Sequence, residues 1–176
     1  MMSHQQYVQY LDDPEFSFRI LGLPYKNKDF SMYIQLHRED PKSTNFSNNF
    51  DAVYLSSFLD LSSLKRRLIY YKIPRFQVTT TSDLKDVLVK FGSQNIVTSP
   101  TLYDKEDGSV VDFVDIKHGT SFEFSQMDAK NYAWLPTRST SIPPIKFFVN
   151  KPFTFFVYYH PKKIILLIGA ISKPFC

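Results

Sequence analysis

The strongest constraint on folding lies near the C-terminus, where two apolar runs follow each other with only a short break. Phe153 to Tyr159 and Ile164 to Ile171 contain hardly any polar side chains, and His160-Pro161-Lys162-Lys163 separates them. Short apolar runs bounded by turn residues are typical of fully buried strands. The sequence therefore predicts two strands that are joined by a turn and buried on both faces.

The remaining sequence also favours strands over helices. Aromatic residues make up 16% of the 176 residues, with 17 Phe and 11 Tyr, and such side chains prefer the half-buried surface of a sheet. The apolar share of 43% is too high for a disordered chain. A chain of this length can form one ordinary domain with its own hydrophobic core. We therefore expect a β-rich interaction module.

Alternating apolar residues mark the earlier strands. Residues 16–23 and 29–36 alternate clearly and are joined by a polar turn, which predicts an antiparallel pair. Further strands are predicted over residues 68–73, 76–80, 110–116 and 145–149, with residues 62–67 as a break before the first of them and 93–108 as a loop. Residues 117–144 show no period and contain three prolines, so we expect a long functional or disordered loop there.

Two helices are predicted. A short one begins at Asp51 and carries Ala52, Leu55, Phe58 and Leu59 at helical spacing. A clearer one has Ser82 as its N-cap, an apolar stripe of Leu84, Val87, Leu88 and Phe91, and Gly92 as its stop.

Nothing in the sequence indicates catalysis. The four histidines (His4, His37, His118 and His160) each lie in a predicted terminus, loop or turn without a partner at helical spacing, so we expect surface residues rather than metal ligands. The lone Cys176 forms no internal disulfide, and a phosphate-binding loop is absent from the sequence. We expect no enzyme activity, no cofactor and no metal site.

Charge gives weak support for other partners. The net charge is +4, and the tight basic clusters are Lys65-Arg66-Arg67 and Lys162-Lys163, which we interpret as a solvated face or turn. An alternative is a nucleic-acid binder in which Tyr70 and Tyr71 stack on bases and Lys72 neutralises backbone phosphate. We expect neither nucleic acid nor a membrane as partner, since no run approaches the roughly 20 apolar residues of a membrane span.

Several ordered blocks resemble the C-terminal half of a serpin, a member of the serine protease inhibitor family. The first blocks are Leu21-Gly22-Leu23-Pro24-Tyr25 and Phe30-Ser31-Met32-Tyr33-Ile34. The second are Ile73-Pro74-Arg75-Phe76 and Asp83-Leu84-Lys85-Asp86-Val87-Leu88. The last are Phe148-Val149-Asn150-Lys151-Pro152-Phe153 and Gly169-Ala170-Ile171-Ser172-Lys173-Pro174.

The resemblance implies an α+β, β-rich fold of mostly antiparallel sheets with a few helices and a long exposed reactive-centre loop. Residues 1–176 would form a partial serpin-like domain, incomplete without its N-terminal half. Residues 117–144 would be the hinge and bait loop, and residues 145–176 the buried C-terminal strands. We accordingly expect a fragment, a truncated product, or a chain that needs a second chain to supply the missing half.

The resemblance also implies a mechanism. A serpin offers its loop as bait to a serine protease, and after cleavage the loop enters the main sheet as a new strand and distorts the acylated protease. Lys117-His118-Gly119-Thr120 resembles the hinge of that loop. The cleaved bond is placed at Arg138-Ser139 by trypsin-like specificity, or at Thr140-Ser141 by its spacing from Ile142-Pro143-Pro144. The expected partner is a trypsin-like serine protease, met outside the cell by family resemblance, with a cytoplasmic location as the alternative.

The hinge departs from the family pattern. Phe122 and Phe124 stand where small residues are usual, and in a strand they share a face with Thr120. Two phenyl rings entering the sheet would overpack it by about 1–3 kcal/mol each. Slow insertion would make the chain a substrate rather than an inhibitor, and a non-inhibitory serpin relative acting as a carrier or chaperone is the alternative.

Overall fold

The computed structural model describes residues 1–14, 17–37, 61–92, 116–125 and 143–174. Most of these residues lie in β-strands, as the sequence predicts, with one short α-helix and two single-turn 3-10 helices at Leu61–Ser63 and His160–Lys162. The helix is α1 (Lys85–Lys90). The strands are β1 (Met2–Asp13), β2 (Phe18–Pro24), β3 (Phe30–His37), β4 (Lys65–Ile73), β5 (Phe76–Asp83), β6 (Lys117–Phe124), β7 (Ile145–Phe148), β8 (Phe153–Tyr159) and β9 (Ile164–Ile171).

The chain divides into two compact units. The first comprises Met1–Phe76 and Ser125–Cys176, and the second comprises Gln77–Phe124. A seven-stranded sheet of order β7-β4-β1-β2-β3-β8-β9 forms the first unit. Its strands pair antiparallel except for β4 and β7, which are parallel. In the second unit, β5 pairs with β6.

The predicted antiparallel pair is confirmed as β2 and β3. The turn between them is fixed by local polar groups: the backbone N–H of Asp29 donates to Asn27 Oδ1 over 3.0 Å. The backbone N–H of Tyr25 donates to the carbonyl of Phe30 over 2.9 Å, which closes the hairpin. Because a short asparagine-containing turn sets the register, this pairing can be predicted from the sequence.

A compact aromatic cluster lies on one face of the sheet. Its buried members are Phe18, Ile20, Tyr33, Phe156 and Tyr158. Tyr33 and Phe156 are cross-strand partners whose rings stack with centroids 5.0 Å apart. Aromatic cross-strand pairs of this kind contribute about 0.5–1.5 kcal/mol beyond the area they bury. Strands β2, β3 and β8 are therefore joined by side-chain packing on this face as well as by backbone pairing.

The two apolar C-terminal strands are β8 and β9, but only β8 is buried as predicted. Six of the seven residues of β8 are buried. In β9 the residues alternate between exposed and half-buried, and Ile164, Leu166 and Ile168 are each at least 39% exposed. The reason is position in the sheet: β8 lies between β3 and β9, whereas β9 ends the strand order.

Three predicted boundaries are wrong. β4 begins at Lys65, so the basic residues Lys65–Arg67 belong to a strand and not to a break. β5 runs to Asp83, which places the predicted N-cap Ser82 inside a strand. The helix α1 begins only at Lys85, after Asp83 Oδ1 accepts a hydrogen bond from the Lys85 N–H over 2.9 Å.

Of the predicted apolar stripe, Leu84 and Phe91 lie at the N-cap and C-cap of α1 rather than within it, and Val87 and Phe91 are 41% and 82% exposed. The expected stop at Gly92 is confirmed by its φ of 80°, which favours glycine. The predicted helix from Asp51, the loop 93–108 and residues 110–115 of the predicted strand lie outside the described residues.

Strands also occur at several positions where irregular structure was expected. β6 occupies Lys117–Phe124, within the stretch predicted to lack regular structure. Three histidines expected in termini or loops lie in strands: His4 in β1, His37 in β3 and His118 in β6. Only His160 is in its predicted turn, where its backbone N–H donates to the carbonyl of Asp29 over 2.8 Å.

Candidate functional site

The predicted hinge residues lie in β6, which pairs with β5. At one end the backbone N–H of Leu84 donates to the Ile116 carbonyl over 2.8 Å. Further along, the hydroxyls of Thr79 and Ser121 are 3.3 Å apart. The contact positions move five residues back along β5 while they move five residues forward along β6, so the strands run antiparallel. Threonine-rich β5 suits this role because β-branched residues favour extended backbone.

Burial along β6 follows a period of two. Thr120 and Phe122 are half-buried and Phe124 is buried, at 6% exposure, whereas Gly119, Ser121 and Glu123 are exposed. Alternating sides of this kind are what a pleated strand produces. The two phenyl rings and Thr120 therefore share the inward face of β6, which is the arrangement expected from the sequence.

The space around Gly119 in the predicted hinge is open. A Cβ placed on Gly119 would meet no atom within 4 Å. Beside it, His118 Nε2 and Thr120 Oγ1 form a hydrogen bond of 3.0 Å, and Lys117 and His118 are exposed. Side-chain volume near Gly119 is thus unconstrained, and packing tightens only toward Phe124.

The candidate cleaved bonds fall outside the described residues. Arg138, Ser139, Thr140 and Ser141 all belong to the stretch 126–142, and the description resumes at Pro143. β7 follows immediately and is held to β4, with the backbone N–H of Val149 donating to the Lys72 carbonyl over 2.9 Å. In the chain order, β6 precedes the stretch that holds the candidate bonds and β7 follows it.

Chemistry that would suggest another kind of site is missing from the described ranges. No cluster of three or more potential metal ligands occurs among residues 1–14, 17–37, 61–92, 116–125 and 143–174. The clear pKa shifts belong to Tyr10, Tyr33, His37 and Tyr71, and burial is the largest cause of each. Within the same ranges, no helix is long and apolar enough to cross a membrane.

One surface was missed by the sequence interpretation. The basic run Lys65–Arg67 was assigned to a break, yet it opens a strand whose alternate residues Arg66, Leu68, Tyr70 and Lys72 share one face. The alternation of Ile69, Tyr71 and Ile73 on the other face was the signal that could have revealed it.

Comparison with known proteins identifies the family. Residues 1–174 match the family model described as Serpin (serine protease inhibitor). Human Serpin B3 is 26% identical over 161 residues, covering 89% of this chain and 41% of that protein. Bovine plasma serine protease inhibitor is 26% identical over 179 aligned residues, covering 99% of this chain and 43% of that protein.

Solved structures agree on the fold. A serpin from the trematode Schistosoma haematobium superposes with a TM-score of 0.75 at 20% identity, covering 99% of this chain and 46% of that one. SRPN18 from Anopheles gambiae gives a TM-score of 0.73 at 19% identity, covering 99% of this chain and 45% of that one. The chain thus spans about half the length of the relatives that it matches. It belongs to the serpin family and carries part of the serpin fold.

Proposed function

We propose that this chain is part of a serpin-type serine protease inhibitor and that residues 126–142 offer a cleavable bond to a trypsin-like serine protease. The observation that carries the proposal is that β6 holds the Gly119-Thr120 hinge pattern in extended backbone directly before that segment. The family description and the names of several relatives support protease inhibition at the family level. The bond after Arg138 suits an acidic specificity pocket, and the bond after Thr140 is the alternative.

Phe122 and Phe124 set the expected outcome of cleavage. Trapping a protease requires the hinge to enter a sheet quickly, and inward-facing phenyl rings add volume that must be accommodated at about 1–3 kcal/mol each. The chain also spans only about half of its relatives, so the other half of the domain must supply the neighbouring strand. We therefore expect cleavage to finish before insertion, which makes the chain alone a substrate.

Incubation with trypsin tests this directly. We expect cleavage after Arg138, found by mass spectrometry, without an SDS-resistant protease complex. Arg138→Ala should remove that cut, while Thr140→Ala as matched control should leave it unchanged. An SDS-resistant complex with the unaltered chain would contradict the substrate outcome. Absence of any cut within residues 126–142 would contradict the bait segment itself.

The same phenyl rings favour a second candidate function, a non-inhibitory serpin relative that acts as a carrier or chaperone. Such a protein gains no stability when its loop inserts into the sheet. Thermal unfolding of the chain together with the remaining half of the domain, with and without a synthetic peptide of residues 119–130, separates the two functions. A rise in melting temperature with the peptide supports the inhibitory family mechanism, and an unchanged melting temperature supports the carrier.

The resemblance to serpins also suggests a cellular location and a source for the remaining half of the domain. We propose an extracellular location, with the cytoplasm as alternative, and a remaining half of the domain that comes from the same gene product or from a second chain. Fractionation of the source cells with an antibody against this chain tests both. A single band near twice its mass in the medium supports an extracellular product of one chain.

A further inference from the structure

Positive charge is concentrated on three neighbouring strands of the large sheet. Over the part of β1 that pairs with β4 (residues 2–10), and over all of β4 and β7, there is no Asp or Glu, and the carboxylates of β1 are Asp12 and Asp13 at its far end. The same stretches contain five basic residues: Lys65, Arg66, Arg67, Lys72 and Lys146. No ion pair joins any of these five to another residue in the described part of the chain. Among the described residues no carboxylate pairs with these cations, which suits a partner of opposite sign.

The register gathers three of these cations on one face. In β4, Ile69, Tyr71 and Ile73 are buried on one side, so Arg66 and Lys72 project from the other. Pairing then aligns neighbours on that face: Tyr7 lies beside Leu68, Lys146 beside Tyr70, and Phe148 beside Lys72. We call this surface the cationic face; it comprises Tyr7, Arg66, Tyr70, Lys72, Lys146 and Phe148.

Aromatic rings hold two of the cations in place. The Arg66 guanidinium carbon is 6.0 Å from the centroid of the Tyr7 ring. Lys72 Nζ is 5.8 Å from the centroid of Tyr70 and 5.3 Å from that of Phe148. Contacts of this kind restrict long flexible side chains and so reduce the entropy lost when a partner binds. Six residues of strand separate Arg66 from Lys72, which is roughly 20 Å.

We infer that the cationic face binds an acidic, extended segment of a partner polypeptide, an interaction separate from the bait loop. Arginine and aromatic residues with few carboxylates are the composition of protein interfaces. Three cations over roughly 20 Å are sparse compared with the phosphate spacing of a nucleic acid. Tyr70 and Tyr71 lie on opposite faces of β4, and Tyr71 is only 4% exposed, so they form no continuous stacking platform for bases.

Fluorescence anisotropy with a labelled synthetic peptide tests the assignment. The probe alternates Glu with Leu and Tyr, and its counterpart carries Lys in place of Glu. We expect saturable binding of the acidic probe only, weakened several-fold as the salt concentration rises from about 50 to about 300 mM. Arg66→Glu combined with Lys72→Glu should weaken binding at least about tenfold, since two attractive contacts become repulsive.

The matched control reverses two charges elsewhere. Lys26→Glu with Lys28→Glu changes the net charge equally at the exposed β2–β3 turn and should keep binding within about twofold. Equal losses in both double variants would overturn the assignment in favour of bulk charge. Tighter binding of oligothymidylate or dextran sulfate that also needs Arg66 and Lys72 would overturn the polypeptide partner. If the reversed variant fails to fold, Arg66→Gln with Lys72→Gln replaces it, and unchanged binding there likewise overturns the proposal.

Discussion

Two glycines in the large sheet are positions where a neighbouring aromatic ring occupies the space of a side chain. Gly22 and Tyr33 are cross-strand partners, and a Cβ on Gly22 would lie 2.7 Å from Tyr33 Cε1. The ring passes over the glycine, and its hydroxyl donates to Gln9 Oε1 over 2.9 Å. Gly169 and Phe155 repeat this arrangement in β9 and β8, with a distance of 2.6 Å to Phe155 Cζ.

Replacing Gly169 by alanine should therefore destabilise the fold. Phe155 is 1% exposed and packs against Phe76 with centroids 4.9 Å apart, so its ring cannot move aside freely. We expect a loss of about 1–3 kcal/mol in the free energy of unfolding, measured by chemical denaturation. Gly119→Ala is the matched control, with no atom within 4 Å of the new methyl group, and should change the free energy by less than about 0.5 kcal/mol. Equal effects would contradict the packing seen at Phe155.

Buried tyrosines make stability sensitive to alkaline pH. Burial raises the pKa of Tyr71 to about 12, although the hydrogen bond that Gln6 Nε2 donates to its hydroxyl acts in the opposite direction. A pKa that is higher in the folded state gives stability that is complete below pH 10 and is lost as the pH rises toward 12.

The variant Tyr71→Phe removes that titration. We expect its free energy of unfolding to fall less steeply between pH 9.5 and pH 11.5, by up to roughly 2 kcal/mol over the range. Burial also raises the pKa of Tyr33 to about 12, so part of the pH dependence remains in this variant. An identical slope for Tyr71→Phe would show that Tyr71 ionises equally well in the folded chain.

At the scale of elements, local pattern predicted which segments are strands better than where each one lies in the sheet. The β2–β3 hairpin was predictable because its turn chemistry is local. β8 and β9 have equally apolar sequences, yet β8 is paired on both sides and β9 ends the described sheet, a difference set by distant partners. Ser82 is a good N-cap by type, but strand pairing with β6 extends β5 past it. The hinge was predicted through family resemblance, whereas the cationic face depends on a cross-strand register that composition does not contain.

The exposed side of β9 should make the isolated chain self-associate. Ile164, Leu166 and Ile168 form an apolar row on a terminal strand, the kind of surface that natural proteins cover or charge. Leu166→Lys should shift the chain toward monomer in light scattering at concentrations of about 10–100 μM, with little change in stability at a site that is 52% exposed. Asn150→Lys adds the same charge at an exposed position after β7 and should not change the association. Association that is unaffected by Leu166→Lys would place the contact elsewhere.

At the scale of the molecule, the two compact units differ in how much sheet supports them. The first contains seven paired strands, and β8 has partners on both sides and is almost fully buried. The second pairs β5 with β6 alone among the described residues, and only Phe124 of β6 is buried. Two-stranded sheets are marginal in water, whereas the centre of a large sheet opens only when the domain unfolds.

Hydrogen exchange should therefore divide the chain at these units. We expect backbone amides of β3 and β8 to exchange at least about a hundredfold more slowly than those of β5 and β6, measured by mass spectrometry on peptides from each strand. Exchange in β6 should slow when the remaining half of the serpin domain is supplied, because a further strand then pairs with it. β2 is an internal control, since its pairing with β1 and β3 is already complete and its rate should not change. Protection of β6 equal to that of β8 in the chain alone would mean that β6 has a second strand partner within this chain, and the proposal that its sheet is completed from outside would fail.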